Sequence, residues 1–560
     1  MKKLAGPAGF HAQDLDLLTN YPGIPPKAPQ VVTSLLRNPG SIDSLVPALR
    51  RDILDTAHAT IGGLVGSGSL WKWIDAPEPE KSPDGRAGYL AMNAGVSLRE
   101  FVAALSPAEQ AFLAREVPPL FRPSVEDTLL NPIEREIERL QSDATTDSIM
   151  GLADKLPMQK LANASRDLEG ALSFLTRMLQ TEGIKATIAY LEATRLKTGI
   201  PVAIGTKGND VHRLHEGIVF DPGGNDRYEF PDSVRPGSWL MVVDVSGNDT
   251  YVARDSVGGA AAFLSVQLIT DLAGNDRYVG KDFAFGSALM GFSRLYDAKG
   301  DDEYVARCGA LGFAFRGIGI LQDAAGKDSY SSAYLSQGAS SSFGLGLLLD
   351  EEGNDRYDTR PVFVDDLRYR DHFLSMSQGF SSGFSPGYAG GLGILWDQEG
   401  NDTYLADIFG QGTGYWFAWG LLMDDAGNDR FNAYQYAQGA GVHFAVGTLL
   451  DASGEDARVS KGVSQGCGHD GGFGMLFDAA GDDSTTAVDM SAGAGSANGL
   501  GVYLDIGGND AYTMGNPLMT LGHGDMRRDK GSLGFFLDLE GHDAYSNRLE
   551  SGSVRRVYDG

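Results

Sequence analysis

From residue 221 onward one eight-residue phrase, Asp-x-x-Gly-Asn-Asp-x-Tyr, keeps returning. Its first aspartate stands at Asp221, Asp244, Asp271, Asp297, Asp323, Asp350, Asp397, Asp424, Asp451, Asp478, Asp505 and Asp538. The intervals are 23, 27, 26, 26, 27, 47, 27, 27, 27, 27 and 33 residues. A period held this long marks stacked structural units, and it overrides any domain count taken from length alone. A degenerate copy, Gly205-Thr206-Lys207-Gly208-Asn209-Asp210, precedes the array and reads as its beginning.

Within the phrase the fourth residue is always glycine and the fifth is usually asparagine. The sixth is always aspartate: Asp226, Asp249, Asp276, Asp302, Asp328, Asp355, Asp402, Asp429, Asp456, Asp483, Asp510 and Asp543. The eighth is tyrosine except at Phe431, Arg458 and Thr485. An apolar run such as Gly344-Leu345-Gly346-Leu347-Leu348-Leu349 precedes each first aspartate and reads as a strand. A Gln-Gly pair lies upstream of it at Gln337, Gln378, Gln411, Gln438 and Gln465. Each unit therefore reads as strand, Asp/Asn/Gly turn, strand, Gln-Gly turn, strand. One unit cannot bury both faces of its strands, but units stacked in parallel at about 4.8 Å can. The expected fold is α+β and multidomain: an α-helical domain followed by a parallel β-solenoid of about twelve coils. The tyrosines should stack as an aromatic ladder and the glutamines as an amide ladder. Glycines four residues before the aspartates (Gly319, Gly346, Gly393, Gly420, Gly447, Gly474, Gly501 and Gly534) form a column. That column implies tight packing within the coil or close approach of another chain, including self-association.

The first 200 residues have a different grammar. Residues 1–41 are proline-rich and read as an extended arm, 42–200 as mainly α-helical, and 201–560 as the solenoid. Ser97-Leu98-Arg99-Glu100 and Ser106-Pro107-Ala108-Glu109 both have the capping-box pattern, the second with proline at the first helical position.

The turn resembles the repeats-in-toxin nonapeptide family, Gly-Gly-x-Gly-x-Asp-x-apolar-x. Gly274-Asn275-Asp276-Arg277-Tyr278 and Gly353-Asn354-Asp355-Arg356-Tyr357 match its second half in register. The likeness covers the turn and not the whole unit, whose first position is aspartate and whose period is 27. It implies a β-roll with calcium between stacked turns, ligated by the sixth-position aspartates and turn carbonyls. Electrostatics points the same way. Stacking puts the first and sixth aspartates into columns, where neighbouring charges repel by about 0.9 kcal/mol in water and about 3.5 kcal/mol at an effective dielectric of 20. Multiple Ca²⁺ ions would offset this. The competing reading treats Asp, Asn and Gly as plain turn formers, with Arg227, Arg277, Arg356 and Arg430 supplying the neutralising charge.

Charge follows the repeat. Residues 1–200 hold 24 acids and 21 bases, leaving 50 acids and 25 bases for 201–560, out of 74 and 46 in the chain. That excess disfavours nucleic acid and favours cations. No apolar run is long enough to span a bilayer. Met1-Lys2-Lys3 resembles the start of an export signal, but no apolar segment follows. Cys308 and Cys467 sit at different repeat phases, so no disulfide is expected. The sequence leads to an exported structural or binding protein, periplasmic, cell-surface or extracellular, with a cell-envelope component, polysaccharide or protein as partner. Two inserts break the repeat, around Asp365-Asp366-Leu367-Arg368-Tyr369-Arg370-Asp371-His372 and around His523-Gly524-Asp525-Met526-Arg527-Arg528-Asp529. They raise an alternative, a carbohydrate-active β-helix lyase or hydrolase using Arg370, His372 or His523 as acid or base. A third reading makes each unit a hairpin of an outer-membrane barrel.

Overall fold

The computed structural model describes residues 16–20, 29–58, 87–122, 132–254, 261–365, 367–527 and 529–547. The proposed signal start at Met1-Lys2-Lys3, and Asp366 and Arg528 within the two inserts, lie outside these residues. An N-terminal helical region is followed by a parallel β-solenoid with coils of about 27 residues. By packing, the chain divides into one unit of residues 48–300 with 316–318, and another of 1–47, 301–315 and 319–560.

In the first unit, helix Ala87–Val102 packs on helix Met158–Glu182. Leu98 and Phe101 of one and Leu161, Leu168 and Leu175 of the other are buried. Ser106 caps helix Pro107–Glu116 as its sequence predicts: Glu109 N donates to Ser106 Oγ at 3.3 Å, and Ser106 N donates to Glu109 Oε2 at 2.7 Å. The Ser97 pattern is no cap. It lies inside Ala87–Val102, because the alanine-rich turns before it already favour helix.

The coils of this unit follow. Long strands Gly217–Asp221, Trp239–Asp244, Val266–Asp271 and Phe292–Asp297 pair in parallel, with Asp221 opposite Asp244 and Asp271 opposite Asp297. After each Asp/Gly turn a short strand carries the tyrosine, and Tyr228, Tyr251 and Tyr278 lie in register. The degenerate copy joins the array, since Val202–Ile204 pairs with the strand of Asp221.

The second unit repeats this arrangement more regularly. Leu345–Asp350, Leu392–Asp397, Trp419–Asp424, Val446–Asp451, Phe473–Asp478, Leu500–Asp505 and Leu533–Asp538 form one parallel sheet. Strict register puts Gly346, Gly393, Gly420, Gly447, Gly474, Gly501 and Gly534 in one column. The coils beginning at Leu345, Leu392, Trp419 and Val446 each carry four strands, where the sequence suggests three, because the Gln-Gly turn is itself flanked by two. Gln435–Ala437 and Gly441–Val442 bracket Gln438-Gly439 in this way. Parallel pairing rules out the barrel of hairpins; among the described residues the antiparallel strand pair is Met526–Arg527 with Lys530–Gly531, inside an insert. Among the described residues no helix is long and apolar enough to cross a membrane.

Part of the stretch read as an extended arm is helical. Gln30–Arg37 forms an α-helix behind Pro29, and Val31, Val32, Leu35 and Leu36 bury one face. That spacing is helical, and the surrounding prolines mask it in the sequence.

Candidate metal centre

Each coil turns at its first aspartate, which ends the long strand. In Asp221, Asp244 and Asp271 the Oδ1 atom accepts from the backbone N two residues on, at 2.8, 2.8 and 3.1 Å. This local bond explains why aspartate opens the turn. The exposed fifth residues form a separate outer ladder: Asn401 N donates to Asn354 Oδ1 at 3.0 Å and Asn428 N to Asn401 Oδ1 at 2.9 Å. The asparagines thus satisfy the backbone of the next coil.

The aspartates themselves are not solvent-facing turn residues. All of the first- and sixth-position aspartates except Asp538 and Asp543 are buried. From Asp271 to Asp424, Oδ2 of the first aspartate accepts the tyrosine hydroxyl of the coil before in the pairs that follow, whereas Tyr512 and Tyr545 bond to Asp505 and Asp538 of their own coils. Tyr251 reaches Asp271 at 2.7 Å, Tyr304 reaches Asp323 at 2.6 Å, Tyr330 reaches Asp350 at 2.6 Å, and Tyr357 and Tyr404 reach Asp397 and Asp424 at 2.7 Å. The tyrosine rings stack at 4.5 to 4.9 Å, forming the expected aromatic ladder. In the degenerate coil His212 takes the eighth position, stacks on Tyr228, and places Nε2 2.6 Å from Asp221 Oδ2.

The sixth aspartate is half satisfied. Its Oδ1 accepts from the backbone N of the sixth aspartate one coil earlier: Asp249 N to Asp276 at 2.5 Å, Asp328 N to Asp355 at 2.6 Å, Asp402 N to Asp429 at 2.6 Å. Its other oxygen is left over. Oδ2 of Asp226, Asp249, Asp328, Asp355, Asp402, Asp429 and Asp510 is buried with no hydrogen-bond partner. These oxygens lie beside the first aspartates. Asp221, Asp226 and Asp244 bring one carboxylate oxygen each within 4.8 Å of one another, as do Asp244, Asp249 and Asp271; Asp271, Asp276 and Asp297; and Asp302, Asp323 and Asp328. The donor set is all oxygen, which suits a hard cation.

Burial and the neighbouring carboxylates push these groups upward: Asp244, Asp328 and Asp402 to about 9, Asp397 to about 8, and Asp249 and Asp429 to about 7. The seventh-position arginines do not relieve them. Strand alternation turns position eight inward and position seven outward; Arg227 pairs with Glu229 at 2.9 Å and Arg356 with Asp358 at 3.4 Å, while Arg277 and Arg430 are exposed.

A Tyr357→Phe exchange tests the cross-coil bond. It leaves Asp397 Oδ2 buried without its donor and is expected to cost about 1–3 kcal/mol. A urea titration measures it. Tyr545→Phe, whose target Asp538 lies in the half-exposed last coil, should cost less.

The glutamines do not form an amide-to-amide ladder. Gln411 Nε2 donates to the carbonyls of Tyr404 and Asn432 at 3.1 and 3.0 Å, and Gln438 Nε2 to Phe431 and Val459 at 3.0 and 3.2 Å. Each glutamine stitches two coils through backbone, with φ between 52° and 59°.

His372 is buried; its Nδ1 lies 2.8 Å from Asp407 Oδ1, and Asp407 Oδ2 accepts from Phe373 N at 2.7 Å. Asp407 thereby pins the insert to the next coil. Arg370 is exposed, and His523 uses its backbone carbonyl to receive Gly495 N at 2.8 Å. Cys308 and Cys467 are both buried and not joined in a disulfide. No known protein family, curated protein or solved structure matches this chain.

Proposed function

We propose that this chain is an exported structural or binding protein whose β-solenoid is stiffened by calcium held between the aspartate columns. One observation carries the reading: buried carboxylate oxygens that no donor in the protein satisfies recur at Asp226, Asp249, Asp328, Asp355, Asp402, Asp429 and Asp510. Leaving such groups ionised and unpaired in an interior is prohibitive. Each full coil contributes two buried aspartates, and one divalent ion per coil neutralises both. First and sixth aspartates of one coil, with the first of the next, would hold it, helped by turn carbonyls. Calcium is favoured over softer metals because no sulfur and no nitrogen enters the set in the regular coils. Export follows from the same chemistry, since sites of roughly 10⁻⁴–10⁻³ M fill only where calcium is plentiful. The pinned insert after Tyr357 offers a rigid projection for a polysaccharide or protein partner.

Metal analysis of the purified protein is expected to find several calcium ions per chain. A chelator should lower the melting temperature by on the order of 10 °C or more, and added calcium should restore it. An unchanged melt together with no bound metal would overturn the proposal.

A further inference from the structure

The eighth-position tyrosine is missing in three successive coils, at Phe431, Arg458 and Thr485. Phe431 keeps the ring in the ladder, stacking on Tyr404 at 4.7 Å, but brings no hydroxyl to Asp451. Arg458 supplies what is missing. It is fully buried, with Nη2 at 2.6 Å from Asp451, 3.0 Å from Asp456 and 2.5 Å from Asp478, and Nη1 at 3.1 Å from Asp483. Its guanidinium carbon lies 5.7 Å from the centre of the Phe431 ring. Thr485 is too short to contest the space and bonds instead to the Tyr503 hydroxyl at 2.9 Å.

The four carboxylates around Arg458 are the first and sixth of one coil and the first and sixth of the next. Three of those four positions form the oxygen clusters elsewhere, as in Asp244, Asp249 and Asp271. We propose that Arg458 is a built-in cation seated where the regular coils hold a metal ion, so that Asp451, Asp456, Asp478 and Asp483 are a metal site the chain closes with its own guanidinium. The inference rests on the calcium reading above and refines it, because it places the ion between consecutive coils and names one coil that does without it. Burial of a guanidinium is tolerated only when its charge is compensated; four carboxylates surround Nη1 and Nη2, while Nε makes no hydrogen bond. Burial pushes Asp451 and Asp478 upward; at Asp483 burial is outweighed by the Arg458 charge together with hydrogen bonds from Asp478, the Asp456 backbone and Arg458, which hold this carboxyl below its ordinary value.

Two measurements test this on the full chain. Hydrogen exchange in chelator should leave residues 446–486 protected while the coils around Asp328 and Asp402 lose protection by at least tenfold. Arg458→Tyr, which restores the regular eighth residue, should bind one more calcium ion per chain than the parent, counted by emission spectroscopy after dialysis against millimolar calcium. Arg458→Lys, which keeps the charge, should show no gain. Equal loss of protection in both regions, or a folded Arg458→Tyr protein with no extra ion, overturns the inference. Should Arg458→Tyr fail to fold, the exchange pattern of the parent decides alone. A parent that binds no metal and loses no protection in chelator instead overturns the calcium reading itself.

Discussion

Stripped of metal, the protein is expected to be more stable at about pH 5 than at about pH 8.5, and calcium is expected to shrink that difference. An unfolded aspartate titrates near 3.9. In the solenoid, burial raises Asp355 and Asp505 to about 6, Asp249, Asp323, Asp429 and Asp510 to about 7, and Asp244, Asp328 and Asp402 to about 9. Between about pH 4 and pH 9 the folded state therefore holds protons that the unfolded chain has released. Stability falls with pH wherever the native state binds more protons. The contribution is complete below the unfolded value and is lost as pH rises through the folded values. The groups are coupled, so their effects do not add one by one. Unfolding entropy grows with length, so in a chain of 560 residues each kcal/mol moves the melting temperature by roughly 1 °C and a few kcal/mol by a few degrees. Calcium takes the place of the protons and is favoured as they leave, so the loaded protein should gain most at the alkaline end. Melts in chelator and in calcium at the two pH values measure this. Stability that is flat or rises with pH in chelator contradicts the burial of these carboxylates.

The sequence made the repeat visible because every coil must present the same residue to its neighbour above and below. Stacking in register turns one structural need into a period, so the coil length, the paired aspartates and the tyrosine ladder could all be read in advance. What the period hides is which columns meet. Tyr357 and Asp397 are 40 residues apart, and nothing local says that the hydroxyl of one coil reaches the aspartate of the next. Burial of the aspartates was hidden for the same reason. Asp-x-x-Gly-Asn-Asp has the composition of an exposed turn, yet it is the asparagine, and in some coils the residue before the glycine such as Glu352 or Glu399, that faces water, while the aspartates fold back under the ladder. Arg458 looked like a lapse in the tyrosine pattern. Its role emerges only when Phe431 before it and Asp478 and Asp483 after it are seen together. His372 was legible as an unusual residue in an insert, but its partner Asp407 lies in the next coil and makes it an anchor.

A single methyl group on the glycine column is expected to damage the fold more than removal of any tyrosine hydroxyl. A Cβ at Gly447 would stand 1.9 Å from the Ala440 carbonyl oxygen and 2.2 Å from its carbon; at Gly420 it would stand 2.1 Å from the Thr413 oxygen, and at Gly474 2.1 Å from that of Cys467. In each case the obstacle is backbone of the Gln-Gly turn in the same coil. A flexible side chain can swing aside, whereas this turn is held by Gln438 Nε2 bonds to two coils. Overpacking in a core that can adjust costs about 1–3 kcal/mol; here the turn itself must move, so Gly447→Ala should cost about 3 kcal/mol or more. Gly387→Ala and Gly531→Ala, where the added carbon meets nothing within 4 Å, should stay within about 0.5 kcal/mol. Urea titrations of the three variants measure the contrast. The column faces the interior of the coil, so it explains tight packing and leaves no open stripe for a second chain. A tolerated Gly447→Ala would mean that the long strand and the Gln-Gly turn are further apart than their register allows, and the parallel stacking that aligns Gly420, Gly447 and Gly474 would have to be redrawn.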